Sequence, residues 1–161
     1  MTKTYINQPV GQQELEALVE IGRIEEEAFL ARNPHLVEPY RGRLLATALC
    51  QGAALQFLRR GYGVNDFDLH YFYAQNPRKP RLSRAVRRIS STVGGFSSVS
   101  VDFIRTVVPD TEPAEDPDTI VRQLRRFLND GATANAAHLA AKAVVALSPK
   151  SIFGVTIWPV A

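Results

Sequence analysis

Between residues 44 and 70 the sequence reads LLATALCQGAALQFLRRGYGVNDFDLH, and its hydropathy changes period twice. LLATALC is an apolar run of strand length, and Gly52 then opens a short helical pattern that continues through Arg60. Gly61-Tyr62-Gly63 turns the chain back, and a second strand follows over residues 66–73. A strand, a short helix and a returning strand in so few residues fix a sheet with a helix packed on it, an α/β class with a mixed sheet. The returning strand begins Asp66-Phe67-Asp68. Side chains alternate along a strand, so the two carboxylates point to one face, together with His70 and Phe72, while Phe67, Leu69, Tyr71 and Tyr73 point to the other. Paired carboxylates on one face are a clamp for a hard cation that prefers oxygen ligands.

A third acid belongs to the same pattern. Residues 97–107 alternate, with Val99, Val101 and Phe103 on one face and Ser98, Ser100, Asp102 and Ile104 on the other. A carboxylate between strand formers is costly unless it is paired, metal-bound or at a sheet rim. Gly52 stands at a strand-to-helix junction, where a glycine lets a phosphate approach the polarised N–H groups of a helix start. Taken singly, the glycine is ordinary punctuation and the acidic pair an ordinary solvated strand end. Their joint occurrence points to one site.

Gly52-Ala53, Asp66-x-Asp68 and Asp102 together resemble the core of the nucleotidyltransferase superfamily, in which Gly-Gly or Gly-Ser at a helix start precedes Asp-x-Asp and a third Asp on a separate strand. The version GGTAL…SxDIDL of abortive-infection-type toxin nucleotidyltransferases is matched here as QGAAL…VNDFDL, and the likeness runs from residue 44 to about residue 107. It implies a nucleotidyltransferase-like fold, with Mg²⁺ or Mn²⁺ held by Asp66, Asp68 and Asp102 and a nucleoside triphosphate seated on Gly52 and Ala53. It also implies that Asp102 lies nearer the acceptor and helps deprotonate its hydroxyl. Lys142, in LAAKAVVAL, resembles the helical lysine that these relatives place after the core, within reach of a phosphate. The implied reaction moves a nucleoside monophosphate onto an RNA end, a protein side chain or a small-molecule hydroxyl, in a toxin–antitoxin or phage-defence setting. Three departures are visible: Ala53 replaces the second Gly or Ser, Asn65 stands near the usual Ser, and the RDxxD-like segment after the lysine gives way to SPKSIFGVTIWP. The departures keep a second reading open, a catalytically degenerate fold serving as a binding or regulatory module.

The rest of the chain frames this core as a single domain. At 161 residues it is long enough to bury a substantial core. No apolar run approaches the ~18–20 residues of a membrane span, and the N-terminus lacks a secretory h-region, so a cytoplasmic location is expected. The lone Cys50 excludes an intramolecular disulfide, and three scattered histidines exclude a zinc spacing. Residues 12–33 read as an amphipathic, acidic helix stopped by Asn33-Pro34, and 35–43 as a linker. Residues 83–92 read as a helix carrying part of a basic cluster (Arg78, Lys79, Arg81, Arg84, Arg87, Arg88), which leaves a nucleic-acid-binding surface as a third, weaker reading. Helices are expected over 118–128 and 132–147, the second bearing Lys142. The tail 152–160 is β-prone and suits an edge strand anchored by Trp158.

Overall fold

The computed structural model describes residues 6, 8–61, 63–78, 82, 86–131 and 133–160. The chain runs α1 (Gln12–Arg32), α2 (Val37–Tyr40), β1 (Leu44–Cys50), α3 (Gln51–Arg59), β2 (Asp66–Ala74), β3 (Arg87–Val93), β4 (Phe96–Val108), α4 (Pro117–Asp130), α5 (Ala134–Ala140), β5 (Val144–Ser148) and β6 (Thr156–Trp158). Six strands make one mixed sheet in the order β3-β4-β2-β1-β5-β6. Only β2 and β4 are parallel; the other pairs are antiparallel. This is the mixed α/β architecture expected from the sequence. Among the described residues no helix is long and apolar enough to cross a membrane.

The alternation read from β2 and β4 sorts their side chains onto the two faces. Phe67, Leu69, Tyr71, Tyr73, Val99, Val101 and Phe103 are buried in a core with Leu15 and Leu18 of α1 and Ala53 and Ala54 of α3. Phe72, Ala74 and Val108 belong to the opposite core, with Ile120, Leu124, Phe127 and Leu128 of α4 and Ala136 and Leu139 of α5. Helix α1 also lies against the sheet through polar groups. The Tyr71 hydroxyl donates to the Gly22 carbonyl at 2.7 Å, and that of Tyr73 donates to Glu26. Arg105, 5 % exposed, is sandwiched between the rings of Phe29 and Tyr71. Its guanidinium lies 3.4 Å from Glu26 and 3.7 Å from Glu25, so the buried cation meets both rings and carboxylates.

Two expected helices give way to strands over part of their length. Residues 87–92 form most of β3 rather than the end of a helix; residues 83–85 lie outside those described. The run Ile89-Ser90-Ser91-Thr92-Val93 is β-prone, and Gly94-Gly95 closes it on Phe96 as a hairpin. The expected helix over 132–147 is α5, which stops at Ala140, followed by strand β5. Alanine favours helix, but Val144-Val145-Ala146-Leu147 is buried between β1 and β6, and sheet pairing outweighs that propensity. The tail does supply the edge strand β6, and the Trp158 indole donates to the Ala140 carbonyl at 2.8 Å. Residues 35–43 hold a short 3₁₀ turn and α2 rather than plain linker.

The β3–β4 hairpin is tied to the start of α1 by one side chain. Glu14, 6 % exposed, accepts from the Gly11 N–H at 2.8 Å and from the Gly95 N–H at 2.9 Å. Gly94 has φ +55°, and a Cβ there would overlap the Glu14 carboxylate. Gly94→Ala therefore combines a left-handed backbone penalty with displacement of that carboxylate. It is expected to lower the unfolding free energy by about 1–3 kcal/mol in a urea titration; an unchanged midpoint would show that the Glu14 tie contributes nothing.

Candidate metal centre

The acids meet because of strand register. Cys50, the last residue of β1, is opposite Asp68, Asp68 is opposite Asp102 in the parallel β2–β4 pair, and Asp102 is opposite Arg88 on β3. Cross-strand partners share a face, so these four side chains form one row on the α4/α5 side of the sheet. Asp66 lies two residues before Asp68 on the same face. The row lies where β1 ends and β2 begins, so α3 starts immediately beside the acids.

Each of Asp66, Asp68 and Asp102 offers a carboxylate oxygen within 4.8 Å of the others. All three predicted metal ligands thus converge. Their surroundings differ. Asp102 is the most enclosed, 7 % exposed, and both of its oxygens accept from Arg88: Nε to Oδ1 at 2.6 Å and Nη2 to Oδ2 at 2.8 Å. The same Nη2 lies 3.6 Å from Asp66 Oδ2. Asp68 makes no hydrogen bond or ion pair among the described residues, and its carboxyl pKa is pushed up to about 7. Burial is the largest cause, followed by the charges of Asp66 and Asp102; Arg88 and Lys142 oppose the rise.

A cleft of about 450 Å³ opens beside the acids, lined by Gln51, Gly52, Ala53, Asp66, Asp68 and Lys142 among others. Every predicted site residue except Asp102 lines it; Asp102 lies to one side, under Arg88. A Cβ on Gly52 would meet nothing within 4 Å, so the glycine faces open space rather than a packed neighbour. The first turn of α3 has N–H groups without intrahelical acceptors. That of Gln51 is taken by the Ala143 carbonyl at 3.1 Å, and those of Gly52 and Ala53 follow it. Lys142 does reach the cleft, but from the turn between α5 and β5 and not from a helix.

Two residues of the cleft, Gln51 and His138, escaped the sequence reading, and His70, placed there on the acid face, was not assigned to the site. Gln51, immediately before the glycine, has φ +65° and is buried, with its Nε2 unpaired among the described residues. His138 lines the cleft. His70, 3 % exposed, follows Asp68 on the acid face; burial and the charge of His138 lower its pKa to about 4, so it is neutral at physiological pH. Strand alternation gives the face of His70, and no local signal gives the other two. The basic cluster is partly consumed by carboxylates: Arg87 pairs with Glu25 at 3.1 Å and Arg88 with Asp102. Lys79, Arg81 and Arg84 lie outside the described residues.

The donor set fits a divalent cation. Three carboxylates are the hard oxygen ligands that Mg²⁺ and Mn²⁺ take, and the raised proton affinity of Asp68 comes first from burial and then from the neighbouring charges of Asp66 and Asp102, against which Arg88 and Lys142 act. Asp66 and Asp68 border the open cleft, whereas Asp102 is engaged by Arg88.

The Asp68 carboxyl keeps its proton to about pH 7 in the folded chain, against an ordinary value of 3.8. Between these values the folded state binds more protons than the unfolded one, so ionising Asp68 destabilises the metal-free protein as pH rises through that window. Asp68→Asn removes the penalty. In EDTA the variant should gain on wild type progressively from pH 4 to 8, reaching on the order of 1–3 kcal/mol by thermal unfolding, and a pH-independent difference would refute the raised pKa. No family model matches the chain, and neither a curated protein nor a solved structure matches it significantly.

Proposed function

We propose that this protein is a metal-dependent nucleotidyltransferase, which moves a nucleoside monophosphate from a nucleoside triphosphate to a hydroxyl on RNA, protein or a small molecule. One observation carries the reading: three carboxylates from two parallel strands converge beside a cleft that also receives the glycine-led start of α3 and a lysine. Any of these parts occurs in proteins without such chemistry. Their convergence supplies what phosphoryl transfer requires, a cation seat next to an anion seat.

In this reaction the acceptor oxygen forms a bond to the α-phosphorus, the α–β bridging bond breaks, and pyrophosphate leaves with its charge. Asp66 and Asp68 are the residues that would hold Mg²⁺ or Mn²⁺, which when bound supplies charge neutralisation on the phosphate oxygens. The N–H groups of Gly52 and Ala53 serve the phosphates at a helix start, where the positive end of the helix dipole favours anions. Ala53 lacks the hydroxyl of a Gly-Ser pair but keeps the backbone donor. Lys142 adds a positive charge on the same cleft. Both Asp102 oxygens accept from Arg88, and the same guanidinium reaches Asp66, so the proton of the attacking hydroxyl falls to Asp68, which makes no hydrogen bond or ion pair among the described residues.

The same Arg88 contact favours the second reading, a binding or regulatory module built on this fold, because a guanidinium already neutralises one acid of the cluster. The two readings part on turnover. Incubation with labelled triphosphates, Mn²⁺ or Mg²⁺ and RNA or protein acceptors should give metal-dependent transfer, reduced about 100-fold or more by Asp68→Ala. Metal-dependent triphosphate binding without transfer would select the binding module, and no such binding would overturn both.

Gly52→Ala separates the proposed phosphate seat from the fold. Alanine is the better helix residue and its methyl meets no neighbour, so stability should rise by up to about 1 kcal/mol. Triphosphate affinity should fall, because the methyl occupies the cleft. Unchanged affinity, measured calorimetrically, would remove Gly52 from the site.

A further inference from the structure

Resting on the reading of the acids as a metal centre, we infer that Arg88 is a resident second cation of this site, so that wild-type protein takes one divalent ion, on Asp66 and Asp68, and not two. Three carboxylates on adjacent strands are enough to hold a pair of ions, and two-ion sites are common in phosphoryl transfer. Here the third carboxylate is already occupied. Arg88 grips Asp102 with two parallel hydrogen bonds of 2.6 and 2.8 Å, the fork geometry in which guanidinium and carboxylate match best. Its Nη2 also lies 3.6 Å from Asp66, so one guanidinium spans two of the three acids.

The position of this cation is built into the sheet. Arg88 and Asp102 are cross-strand partners in the antiparallel β3–β4 pair, and Asp102 is in turn the partner of Asp68. Register therefore places the guanidinium beside the acids without help from a mobile loop. The pair is also asymmetric in exposure: the Arg88 side chain is 62 % exposed and that of Asp102 is 10 % exposed. The guanidinium thus covers the solvent side of the third acid, where an ion would have to enter. A divalent cation seated on Asp102 would face both the loss of two charge-assisted hydrogen bonds and the repulsion of a fixed positive charge at close range. Asp66 and Asp68 border the cleft, and Asp68 makes no hydrogen bond or ion pair among the described residues, so the ion is directed there.

The arrangement gives Asp102 a different task from its neighbours. It acts as a positioning residue: it anchors the arginine, and the arginine supplies positive charge on the side of the cluster away from the α3 phosphate seat. A guanidinium cannot be exchanged with solvent as an ion can, so this half of the charge is present whatever the metal concentration.

Metal stoichiometry tests the inference independently of turnover. Full-length wild type titrated with Mn²⁺, with bound ion followed by electron paramagnetic resonance and calorimetry, should bind one ion. Arg88→Gln should bind two, or bind its first about tenfold more tightly or better, while Arg88→Lys should stay close to wild type. Asp102→Asn in the wild-type background should still bind one ion, and added to Arg88→Gln it should abolish the second. Circular dichroism checks that each variant folds, which the exposure of Arg88 on an edge strand favours. Two ions in the wild type, or an Arg88→Gln titration identical to wild type, would overturn the second-cation role while leaving the metal centre intact. No Mn²⁺ bound by either protein would overturn the metal centre and this inference with it.

Discussion

The pairing of β2 with β4 as parallel neighbours is the contact on which the site depends. In a parallel ladder with this register, Asp68 faces Asp102 directly, and no side-chain rearrangement is needed to bring two like charges together. Such juxtaposition is unfavourable by itself, and the surrounding structure compensates it unequally. On one side the antiparallel β3 brings Arg88 into the same row. On the other side the row ends at Cys50, whose thiol is fully buried and whose pKa is pushed up, first by burial and then by Asp68. Positive charge in contact with the acids thus enters from the β3 edge, while Lys142 acts on Asp68 from the cleft beside α3 without an ion pair among the described residues. Asp68, between the two, retains the unbalanced charge.

The two faces of the sheet handle buried charge in different ways. Under α1, Arg105 meets Glu25 and Glu26 and lies between two aromatic rings, so that cation and carboxylates neutralise one another away from solvent, although Arg105 Nε has no hydrogen-bond partner among the described residues. Arg87 and Arg32 reach the same Glu25 from the rim. That network is closed and has a structural purpose, holding α1 to the sheet. On the opposite face three acids meet in one cluster, with Arg88 against two of them, and a cleft adjoins them. An enclosed, neutralised network and an open, under-neutralised one therefore stand on the two sides of β4, carried by residues of opposite parity: Arg105 on one face and Asp102 on the other.

The sequence disclosed the centre of this arrangement because period-two alternation survives in β2 and β4. Phe67, Leu69, Tyr71 and Tyr73 are so consistently apolar that the other parity had to contain Asp66 and Asp68, and the alternation about Asp102 worked in the same way. What alternation does not give is which strands are neighbours. Nothing local says that β4 lies parallel to β2 with Asp102 opposite Asp68, and it was the joint pattern with Gly52 that linked them. Arg88 was hidden for a different reason: Arg87-Arg88 interrupts the apolar alternation at the start of β3, and the arginines around it suggested a helix surface. The hairpin signal Gly94-Gly95 with a β-prone run before it outweighs that suggestion once pairing to β4 is available. Likewise the alanines before β5 extended an apparent helix past Ala140, although burial between two strands decides the state of residues 144–148.

These corrections alter the chemistry. As a helix, residues 83–92 would have presented their arginines as a basic surface for polyanions. As strand β3, residues 87–93 send Arg88 into the acid row and allow Arg87 to reach Glu25, so both charges are used inside the domain. The early end of the second helix acts in the opposite direction: with α5 ending at Ala140, Lys142 occupies a turn that borders the cleft, and the adjoining Ala143 carbonyl accepts from Gln51 at the start of α3. The β5 entry and the α3 entry are thereby fastened to each other beside the acids. A phosphate seat made of α3 backbone and Lys142 would share one mount with β1 and β5, whereas the proposed cation seat would belong to β2 and its neighbour β4. The β1–β2 pairing, Cys50 opposite Asp68, is the joint between the two halves, and any shift of its register would move the anion seat relative to the cation seat while leaving both intact.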